Sequence, residues 1–380
     1  MIMDNDIIKI PTFKSGNFVF SKKYKDSEIS GLLYEIKILY KTVADLPILP
    51  KWASQLEAEL VRRSIFGTAA IEGNPLNEDE VGKIISEADR KKDITKKAEQ
   101  EIKNLKEVYD FMKTIAPAQS AVDLTEQEIA KIHFMMTKNV NYPLNEPGKY
   151  RNQKVQVGDK DHGGVYTPPK CLPDIKKLME EFIRWINNEN LKRQDPLIRA
   201  ALTHFHLGLI HPFGNGNGRT ARAIEGILLR ESNIKYVPTM LSNYYYGKLD
   251  DYFRAFSLAR KSKDHDVTAF IKFVLDGVID SLNEIKDRII YYLRSLVIRD
   301  YSVFLKHNKV ITQRQHDLIM IMLENYKSLT LNDLMNNPPF NLLYRDVSER
   351  TARRDIKKLL KLELLHDQGG RYELNTQTIG

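Results

Sequence analysis

The stretch HPFGNGNGRTAR, residues 211–222, leads from an apolar segment into a segment with helical spacing. Its tripeptide Gly216-Asn217-Gly218 is a poor helix former, yet the AIEGILLRE region that follows reads as helix. A helix that begins here presents unpaired backbone N–H groups and a partial positive charge, and glycines let a ligand approach those groups closely. The stretch therefore predicts an anion-binding helix N-terminus that suits phosphate oxygens.

Three side chains with charge or titratable protons flank this helix entrance. Arg219 and Arg222 are three residues apart, which places them on one face of the first turn. Cations are disfavoured at a helix N-terminus unless an anion is present, so the pair favours a ligand with several negative charges, such as a triphosphate. His211 precedes the loop, where a neutral imidazole could accept the proton of an attacking hydroxyl. The structural alternative is a glycine-rich turn with both arginines in surface ion pairs.

The composition is typical of a soluble globular protein with two or three domains. The 380 residues carry a formal net charge of +8, and 42% are hydrophobic and 28% charged. No apolar run is long enough to cross a bilayer, and the first residues, MIMDNDIIKIPTFKSG, lack the pattern of a secretory signal. Cys171 is the only cysteine, which favours a reducing compartment. We therefore expect a cytoplasmic protein without a membrane partner.

Helical periodicity dominates the chain and predicts a mainly α fold. Apolar residues recur at three- and four-residue spacing over 30–45, 52–66, 95–115, 124–138, 172–189, 196–210, 218–232, 246–262, 266–297 and 312–325. Thr125 with Glu128 forms a capping-box pattern, and Asp195-Pro196 is a helix-start signal. His204 and His206, on the apolar helix before the glycine-rich stretch, are interpreted as structural.

Residues 146–169 interrupt the helical pattern with short strand-like pieces around a polar, glycine-rich turn, which predicts a β-hairpin. Its two limbs comprise seven residues: Lys154, Val155, Gln156 and Val157, then Val165, Tyr166 and Thr167. An exposed hairpin beside an active site can bind an incoming peptide as an added strand, through main-chain hydrogen bonds. A plain surface hairpin is the alternative.

HPFGNGNGRTAR resembles the Fic motif, His-x-Phe-x-(Asp/Glu)-Gly-Asn-Gly-Arg-x-x-Arg, at every fixed position but one. Residues 148–151, GKYR, are also similar to the start of the family's target-docking flap. The resemblance implies a Fic helical core with a β-hairpin flap, within a similarity that covers most of residues 10–300. It also implies a protein adenylyltransferase, an enzyme that transfers AMP from ATP to a Ser, Thr or Tyr hydroxyl of a protein, itself included.

On this resemblance His211 is the general base, and Phe213 anchors the loop in the core. The nucleotide-binding residues would be Gly216, Asn217, Gly218, Arg219, Arg222, Tyr244 and Tyr252. The first three form an anion hole, the two arginines contact the inner phosphates and the γ-phosphate, and the tyrosines belong to the region of the adenine pocket. There, Lys248-Leu249 stand where the family commonly has Asn-Arg. Ordinary packing is the alternative for both tyrosines.

Asn215 is the position that departs from the motif. The family usually has Asp or Glu there, as a ligand of the Mg²⁺ that bridges the phosphates. An amide oxygen can ligate Mg²⁺ but brings no negative charge. We therefore expect Mg²⁺ or Mn²⁺ as cofactor, with weakened metal binding at Asn215.

Residues 68–73, TAAIEG, end in a helix-stop signal, because Gly73 is followed by Asn74-Pro75. By composition alone, Glu72 would be a solvated carboxylate at a helix end. TAAIEG, however, resembles the family's inhibitory motif, (Ser/Thr)-x-x-x-Glu-(Gly/Asn), with Thr68, Glu72 and Gly73 at the fixed positions. The resemblance implies that Glu72 pairs with Arg222, occupies the γ-phosphate site and autoinhibits the enzyme.

The C-terminal sequence VSERTARRDIKKLLKLELLHDQGGRYEL, residues 347–374, predicts a helix followed by two short strands. The pattern resembles a winged helix-turn-helix domain, whose cationic helix enters the major groove of DNA. The candidate DNA contacts are Arg350, Arg353, Arg354 and Lys357. Protein docking and a plain solvated helix face are the alternatives.

The predicted domains are an N-terminal helical region with the inhibitory helix (1–115), a Fic core (116–265), a helical connector (266–304) and the winged-helix domain (305–380). A protein substrate is the expected partner, duplex DNA is a second candidate, and homo-oligomerisation is left open. One alternative function is a DNA-binding regulator whose Fic core senses nucleotide with weak or no activity. Another is transfer of a different phosphate-containing group, such as a phosphoryl group from a reversed nucleotide.

Overall fold

The structure, a computed structural model, describes residues 6–87, 96–325 and 328–376. It is mainly helical, as predicted, and divides into two compact units. The first comprises Met1–Ala44 and Ala53–Ile285, and the second Asp45–Trp52 and Lys286–Gly380. Within the described ranges, no helix is both long enough and apolar enough to cross a membrane.

The first part of the chain contains two strands, eleven α-helices and a short 3-10 helix among the described residues before residue 262. They are β1 (Ile7–Pro11), β2 (Asn17–Ser21), α1 (Asp26–Asp45), α2 (Pro50–Ile71), α3 (Glu78–Glu87), α4 (Lys97–Thr114), α5 (Glu126–Thr137), α6 (Leu172–Ile186), α7 (Glu189–Lys192), α8 (Pro196–Ile210), α9 (Asn217–Glu231), the 3-10 turn Val237–Thr239, α10 (Leu241–Gly247) and α11 (Leu249–Lys261). The 40-residue helix α12 (Thr268–His307) follows. The predicted connector over 266–304 therefore lies almost entirely within one continuous helix.

Helices α8 and α9 form the centre of the first unit and pack along each other more extensively than any other described pair of elements. The start of α8 follows the predicted signals, since the Asp195 carboxylate accepts a hydrogen bond from the Leu197 N–H and Pro196 is the first helical residue. The Thr125 and Glu128 capping box of α5 is confirmed. Because α8 is buried on nearly all sides, its C-terminus is held firmly at the glycine-rich loop.

A β-hairpin near the N-terminus was not predicted. Strands β1 and β2 pair antiparallel in a two-stranded sheet, and Gly16 has a φ of +80° in the turn between them. The buried Asp174 carboxylate holds this turn by accepting hydrogen bonds from the N–H groups of Phe13 (2.7 Å) and Lys14 (3.0 Å). The strands are only five residues long, too short for a distinct alternating pattern.

The flap differs from the predicted hairpin. The limbs Lys154–Val157 and Val165–Thr167 form no extended ladder, and one isolated bridge joins Val157 to Tyr166 through reciprocal N–H to carbonyl hydrogen bonds of 3.0 and 2.8 Å. Gly158 and Gly164 have positive φ angles on the turn side of this bridge. Backbone in that conformation cannot continue a strand, so pairing stops after one rung.

Two predicted helices also differ from the structure. The segment predicted as one helix over 246–262 is divided between α10 and α11, because Lys248 adopts the non-helical angles φ −126° and ψ 42°. The helix predicted over 266–297 continues to His307. The apolar spacing located the helical face in each case but not the place where the backbone leaves the helical conformation.

The second unit contains the end of α12 and four further helices around a small antiparallel sheet. The elements are α13 (Gln313–Asn325), β3 (Ser328–Thr330), α14 (Leu331–Asn336), α15 (Phe340–Leu343), α16 (Glu349–Lys361), β4 (Leu365–Asp367) and β5 (Arg371–Leu374). The strand order is β3-β5-β4. Buried residues from α12 to β5, among them Leu318, Ile356 and Leu365, form its core. The winged helix-turn-helix assignment of this unit stays a prediction.

Candidate active site

His211 and most of the predicted nucleotide-binding residues line one cavity of about 390 Å³ in the first unit. Its walls are the end of α2, the flap, the end of α8, the glycine-rich loop with the start of α9, and one face of α11. The wall from α11 comprises Tyr252, Phe253, Phe256, Ser257 and Arg260. The cavity thus has a polar end at the α9 N-terminus and an aromatic end at α11.

His211 lies at the C-terminus of α8 and lines the cavity. Its backbone is left-handed, with φ 48° and ψ 59°, a conformation that turns the chain sharply out of the helix. The Arg151 side chain holds this turn by donating a 2.8 Å hydrogen bond to the His211 carbonyl. Burial, together with the Arg151 charge, lowers the pKa of the His211 imidazole to about 4, so the ring is neutral at pH 7.

The loop after His211 is held by its own side chains. The Asn217 amide accepts a hydrogen bond from the Phe213 N–H and donates one to the Phe213 carbonyl, both at 2.9 Å. Phe213 is fully buried, as expected of an anchor. Gly216 is the N-cap of α9 with a φ of 74°. Asn217 therefore shapes the loop with its side chain, and its contribution to an anion site is its backbone N–H.

His133, on α5, is a site residue that the sequence analysis did not identify. Its ring stacks on Phe213, with ring centroids 3.7 Å apart. Its Nδ1 accepts a hydrogen bond from the Gly148 N–H, and its Nε2 donates one to the Asn215 carbonyl, both at 2.9 Å. His133 thus joins the flap to the glycine-rich loop, and only the tertiary structure brings these segments together.

The ion pair predicted between Glu72 and Arg222 is present, with 2.7 Å between Glu72 Oε1 and the Arg222 guanidinium. Thr68 Oγ1 accepts a second hydrogen bond from Arg222, at 2.8 Å. The Arg222 side chain is only 2% exposed, whereas that of Glu72 is 27% exposed. Burial opposes ionisation of Glu72, but the Arg222 and Arg219 guanidiniums outweigh it and lower its pKa. Both partners are therefore charged at neutral pH.

Glu72 also covers the N-terminus of α9. It follows the last residue of α2, and Gly73 ends the helix with a φ of 81°, which confirms the predicted stop. A Cβ atom at Gly218 would overlap the Glu72 carboxylate. The carboxylate therefore lies where an anion bound to the first turn of α9 would lie.

Arg219 does not line the cavity. Its guanidinium donates hydrogen bonds to the Tyr142 hydroxyl (2.8 Å) and to Asn215 Oδ1 (2.9 Å), and the Glu101 carboxylate is 4.0 Å away. Tyr142 in turn donates a 2.6 Å hydrogen bond to Glu101. In this structure Arg219 braces the glycine-rich loop from behind, and its contact with the inner phosphates stays a prediction.

The residues around Asn215 do not fit a divalent cation held by the protein. Asn215 provides a neutral amide, and its Oδ1 already accepts a hydrogen bond from the Arg219 cation. No cluster of three or more His, Cys, Asp or Glu side chains suited to a metal occurs among the described residues. A cation beside Asn215 would therefore face a guanidinium without a local carboxylate from this loop.

The two tyrosines expected near adenine occupy different places. Tyr252 lines the cavity, whereas Tyr244 lies outside its lining and packs against Phe273 on α12, with ring centroids 5.3 Å apart. The expectation that Tyr244 binds nucleotide is therefore not supported, because its ring fills the space above Gly277. The aromatic end of the cavity instead includes Phe253 and Phe256.

The flap places two of its predicted residues, Val157 and Tyr166, in the cavity wall. The remaining predicted residues lie outside the lining: Lys154, Val155, Gln156, Val165 and Thr167. His162, in the turn of the flap, also lines the cavity and contacts Asp159 at 2.9 Å and Asp250 on α11 at 3.0 Å. These two carboxylates raise the pKa of His162. The ring thereby connects the flap turn to α11.

The candidate DNA-binding residues lie on α16 of the second unit and are all exposed. The Arg353 side chain pairs with Glu349 one turn earlier, at 2.5 Å. Arg350, Arg354 and Lys357 form no ion pair with any residue that the structure describes. Three positive charges on this helix are thus available to a partner.

Comparison with known proteins shows that part of the chain is similar to Fic proteins. Residues 123–229 match the sequence model of the Fic/DOC family. Over 155 residues, 41% of the chain, the sequence is 32% identical to the protein adenylyltransferase Fic of Drosophila melanogaster, and equally so to that of Drosophila sechellia. The match spans 28% of the length of those relatives.

Solved structures of Fic proteins share the fold. A Fic family protein from Desulfovibrio desulfuricans has a TM-score of 0.55 at 22% identity, over 91% of this chain and 95% of that one. A fragment of Fic-1 from C. elegans has a TM-score of 0.53 at 21% identity, over 67% of this chain and 71% of that one. The chain therefore shares the helical fold of these Fic proteins.

We expect the stability of the first unit to fall as the pH drops from 6.5 to 4. Burial lowers the pKa of His133, His206 and His211 to about 4 each, whereas an unfolded histidine titrates near 6.5. In this window the unfolded chain binds more protons than the native one, so the free energy of unfolding decreases as the pH falls. Urea unfolding followed by tryptophan fluorescence at several pH values measures the effect.

The variant His206→Gln removes one of these buried groups and should make the pH dependence shallower. His307 is exposed, so His307→Gln is the matched control and should leave the dependence unchanged. A urea midpoint that stays constant between pH 6.5 and 4, or an equal effect of both variants, would contradict the prediction.

Proposed function

We propose that the Fic domain transfers the AMP group of ATP to a Ser, Thr or Tyr hydroxyl of a protein, and that Glu72 restrains this activity. The observation that carries the proposal is the position of neutral His211 beside the N-terminus of α9 in one cavity. A base and a group of phosphate-binding amides are the two elements that such a transfer requires. The relatives named protein adenylyltransferase support the same reaction.

In the proposed reaction, the His211 imidazole accepts the proton of the acceptor hydroxyl. The hydroxyl oxygen forms a bond to the α-phosphorus, and the bond between that phosphorus and the bridging oxygen breaks, so that pyrophosphate leaves. The backbone N–H groups of the first turn of α9, near Gly218, stabilise the negative charge on the phosphate oxygens. Bound phosphates would raise the pKa of His211 towards neutrality, which makes the imidazole a better base.

We propose a role for two further parts of the same cavity wall, Glu72 and the flap. Glu72 would compete with the terminal phosphate for the Arg222 guanidinium, because it already forms a 2.7 Å ion pair with that group. The flap would hold a target segment beside His211, since Val157 and Tyr166 line the cavity while neighbouring flap residues are exposed.

We also infer a cytoplasmic location, because a sequence with a single cysteine suits a reducing compartment.

Replacing Glu72 should release the restraint. We expect Glu72→Gly to raise the incorporation of label from α-labelled ATP, into the protein itself or a target, by about tenfold or more. Losing a charge-assisted hydrogen bond worth about 1.4 kcal/mol changes the ratio of restrained to active protein by that factor. Intact-protein mass spectrometry should detect an AMP adduct, and γ-labelled ATP should transfer no label.

The variant Glu72→Gln keeps the shape of the side chain but loses its charge. It should incorporate an amount of α-label between those of the wild type and Glu72→Gly. Glu72→Gly with His211→Ala should incorporate no label. Equal incorporation by wild type and Glu72→Gly would rule out the restraint. Transfer of γ-label in place of α-label would identify a phosphotransferase.

We expect Asn215→Asp to lower the Mg²⁺ concentration that gives half-maximal transfer in the Glu72→Gly protein. The variant adds a carboxylate to a loop that has none, and Mg²⁺ prefers carboxylate and phosphate oxygens. Asn215→Ala is the control, since it removes the amide oxygen without adding a charge. Identical Mg²⁺ titrations for Asn215→Asp and the parent protein would contradict this prediction.

A second function, binding of duplex DNA by the second unit, is favoured by one feature of α16. The buried Asp355 carboxylate accepts hydrogen bonds from Arg314 (2.7 Å) and Gln315 (2.9 Å) of α13, which ties the inner face of α16 to its own unit. The outer face carries the exposed cations Arg350, Arg354 and Lys357, which pair with no acidic side chain in the described part of the chain. Such a face suits the phosphates of a groove.

We expect the protein to bind duplex DNA with an affinity that falls as the salt concentration rises. Each of Arg350→Gln, Arg354→Gln and Lys357→Gln should reduce the slope of log affinity against log salt by about 1. Arg299→Gln, an exposed residue of α12, is the control and should not change the slope. Fluorescence anisotropy measures binding, and unaltered slopes in all three variants would exclude α16 as the DNA contact.

A further inference from the structure

Arg151, near the start of the flap, holds the backbone of the proposed base at two points. Its Nε donates a 2.8 Å hydrogen bond to the His211 carbonyl, and its backbone N–H donates a 2.9 Å hydrogen bond to the Pro212 carbonyl. His211 has the left-handed angles φ 48° and ψ 59°, which a residue other than glycine retains only where its surroundings fix them. One flap residue therefore makes both hydrogen bonds to this turn.

The burial of Arg151 is costly for the fold. The residue is 3% exposed and pairs with no acidic side chain that the structure describes. Its Nη1 donates a 2.6 Å hydrogen bond to the Gln153 carbonyl, and its Nη2 has no hydrogen-bond partner in the described part of the chain. Because a buried cation without a carboxylate is unfavourable, packing alone does not account for Arg151. A role beside His211 does, since a guanidinium can donate to several carbonyls and also brings its charge to the imidazole.

His133 holds the other end of the same loop. The Gly148 N–H is only a donor and the Asn215 carbonyl only an acceptor, so Nδ1 of the ring must accept and Nε2 must donate. The ring is fully buried, and burial lowers its pKa to about 4, so at pH 7 it has the neutral form that both bonds require. The Asn215 N–H donates to Asn145 Oδ1 at 3.0 Å. Both backbone polar groups of Asn215 are therefore fixed.

We propose that Arg151 and His133 are positioning residues, through which the start of the flap fixes both ends of the glycine-rich loop. Arg151 sets the backbone of His211 and thereby the direction of its imidazole. His133 sets the backbone of Asn215, which leads into the first N–H groups of α9. The flap would thus organise the site as well as hold a target. The catalytic part of this inference rests on the proposed function, whereas the positioning of the two ends does not.

The first test titrates the His211 ring by NMR in the protein with Glu72 intact. The charged groups that act on this imidazole are Arg151, from the flap, and Glu72, at the end of α2. Arg151→Gln removes a cation and should raise the proton affinity of His211 about tenfold. Arg151→Lys keeps the charge and should leave the pKa near that of the wild type. Lys170→Gln removes an exposed cation just after the flap and is the matched control, with no expected effect.

The second test measures the incorporation of α-label in the Glu72→Gly protein. Arg151→Lys should lower the rate at saturating ATP about tenfold, with little change in the ATP concentration that gives half of that rate, because a misplaced base slows the reaction and leaves binding intact. Arg151→Gln should lower the rate as well and move the acid limb of the pH–rate profile to higher pH, since the base must be deprotonated. Lys170→Gln should change neither quantity.

Two substitutions separate the hydrogen bonds of His133. In His133→Asn the amide oxygen can replace Nδ1 as the acceptor for the Gly148 N–H, but the side chain is too short to reach Asn215. In His133→Gln the amide N–H can replace Nε2 as the donor to the Asn215 carbonyl. Both variants lose the stack on Phe213, so a comparison between them cancels that loss. In the Glu72→Gly protein, calorimetry should show an affinity for ADP about fivefold lower in His133→Asn than in His133→Gln, since one hydrogen bond is lost.

The wild-type protein gives a measurement that does not depend on whether variants fold. The nitrogen chemical shifts of the His133 ring at pH 7 should show a proton on Nε2 and none on Nδ1, and the opposite assignment would overturn its role. Circular dichroism verifies the fold of each variant, and Arg151→Lys decides the role of Arg151 if Arg151→Gln is misfolded.

The outcomes separate this inference from the proposed function. If the His211 pKa rises in Arg151→Gln alone but the Glu72→Gly protein transfers no label, the proposed function fails and the positioning role stands. If the Glu72→Gly protein transfers label and the Arg151 variants match it in rate and pH profile, the role of Arg151 is overturned. Equal effects of Arg151→Gln and Lys170→Gln on the His211 pKa would overturn it as well.

Discussion

The burial of the Arg222 guanidinium is the constraint on which the organisation of the cavity depends. A cation with 2% of its side chain exposed is stable only if hydrogen-bond acceptors and negative charge surround it. The acceptors come from the end of α2, through Thr68, and from Glu72, which follows it. One side chain on α9 thereby connects its helix to another that is about 150 residues earlier in the sequence.

The same constraint explains why two arginines can occupy the first turns of a helix. Cations are unfavourable there unless a negative group is near. Glu72 is that group for Arg222, and the Tyr142, Asn215 and Glu101 side chains surround Arg219. The anion that the helix N-terminus favours is thus a carboxylate of the protein itself. A bound triphosphate would have to displace this carboxylate.

Features of the fold and of the site could be predicted from the sequence where the residues that determine them are close together in the chain. The bounds of α8 were predicted correctly, because Asp195, Pro196 and the turn at His211 are local signals at each end. The flap was predicted as a longer ladder than it is, because limb residues with strand propensity do not reveal where glycine φ angles stop the pairing. His133 and Glu101 were missed, because the partners that connect them to the site, Asn215 and Tyr142, are more than 30 residues away in sequence.

The sequence by itself determined the chemistry of the cavity: a histidine, a glycine-rich helix start and two arginines at helical spacing, with a carboxylate at the end of an earlier helix. These features depend on residues a few positions apart, within the range of one turn or one cap. Only the tertiary structure decided what each arginine contacts. Arg222 pairs with Glu72 at the cavity, whereas Arg219 points behind the loop to Tyr142. The physical reason is that a buried charge takes its partners from whichever elements pack against it, and packing between distant segments is not encoded in local spacing.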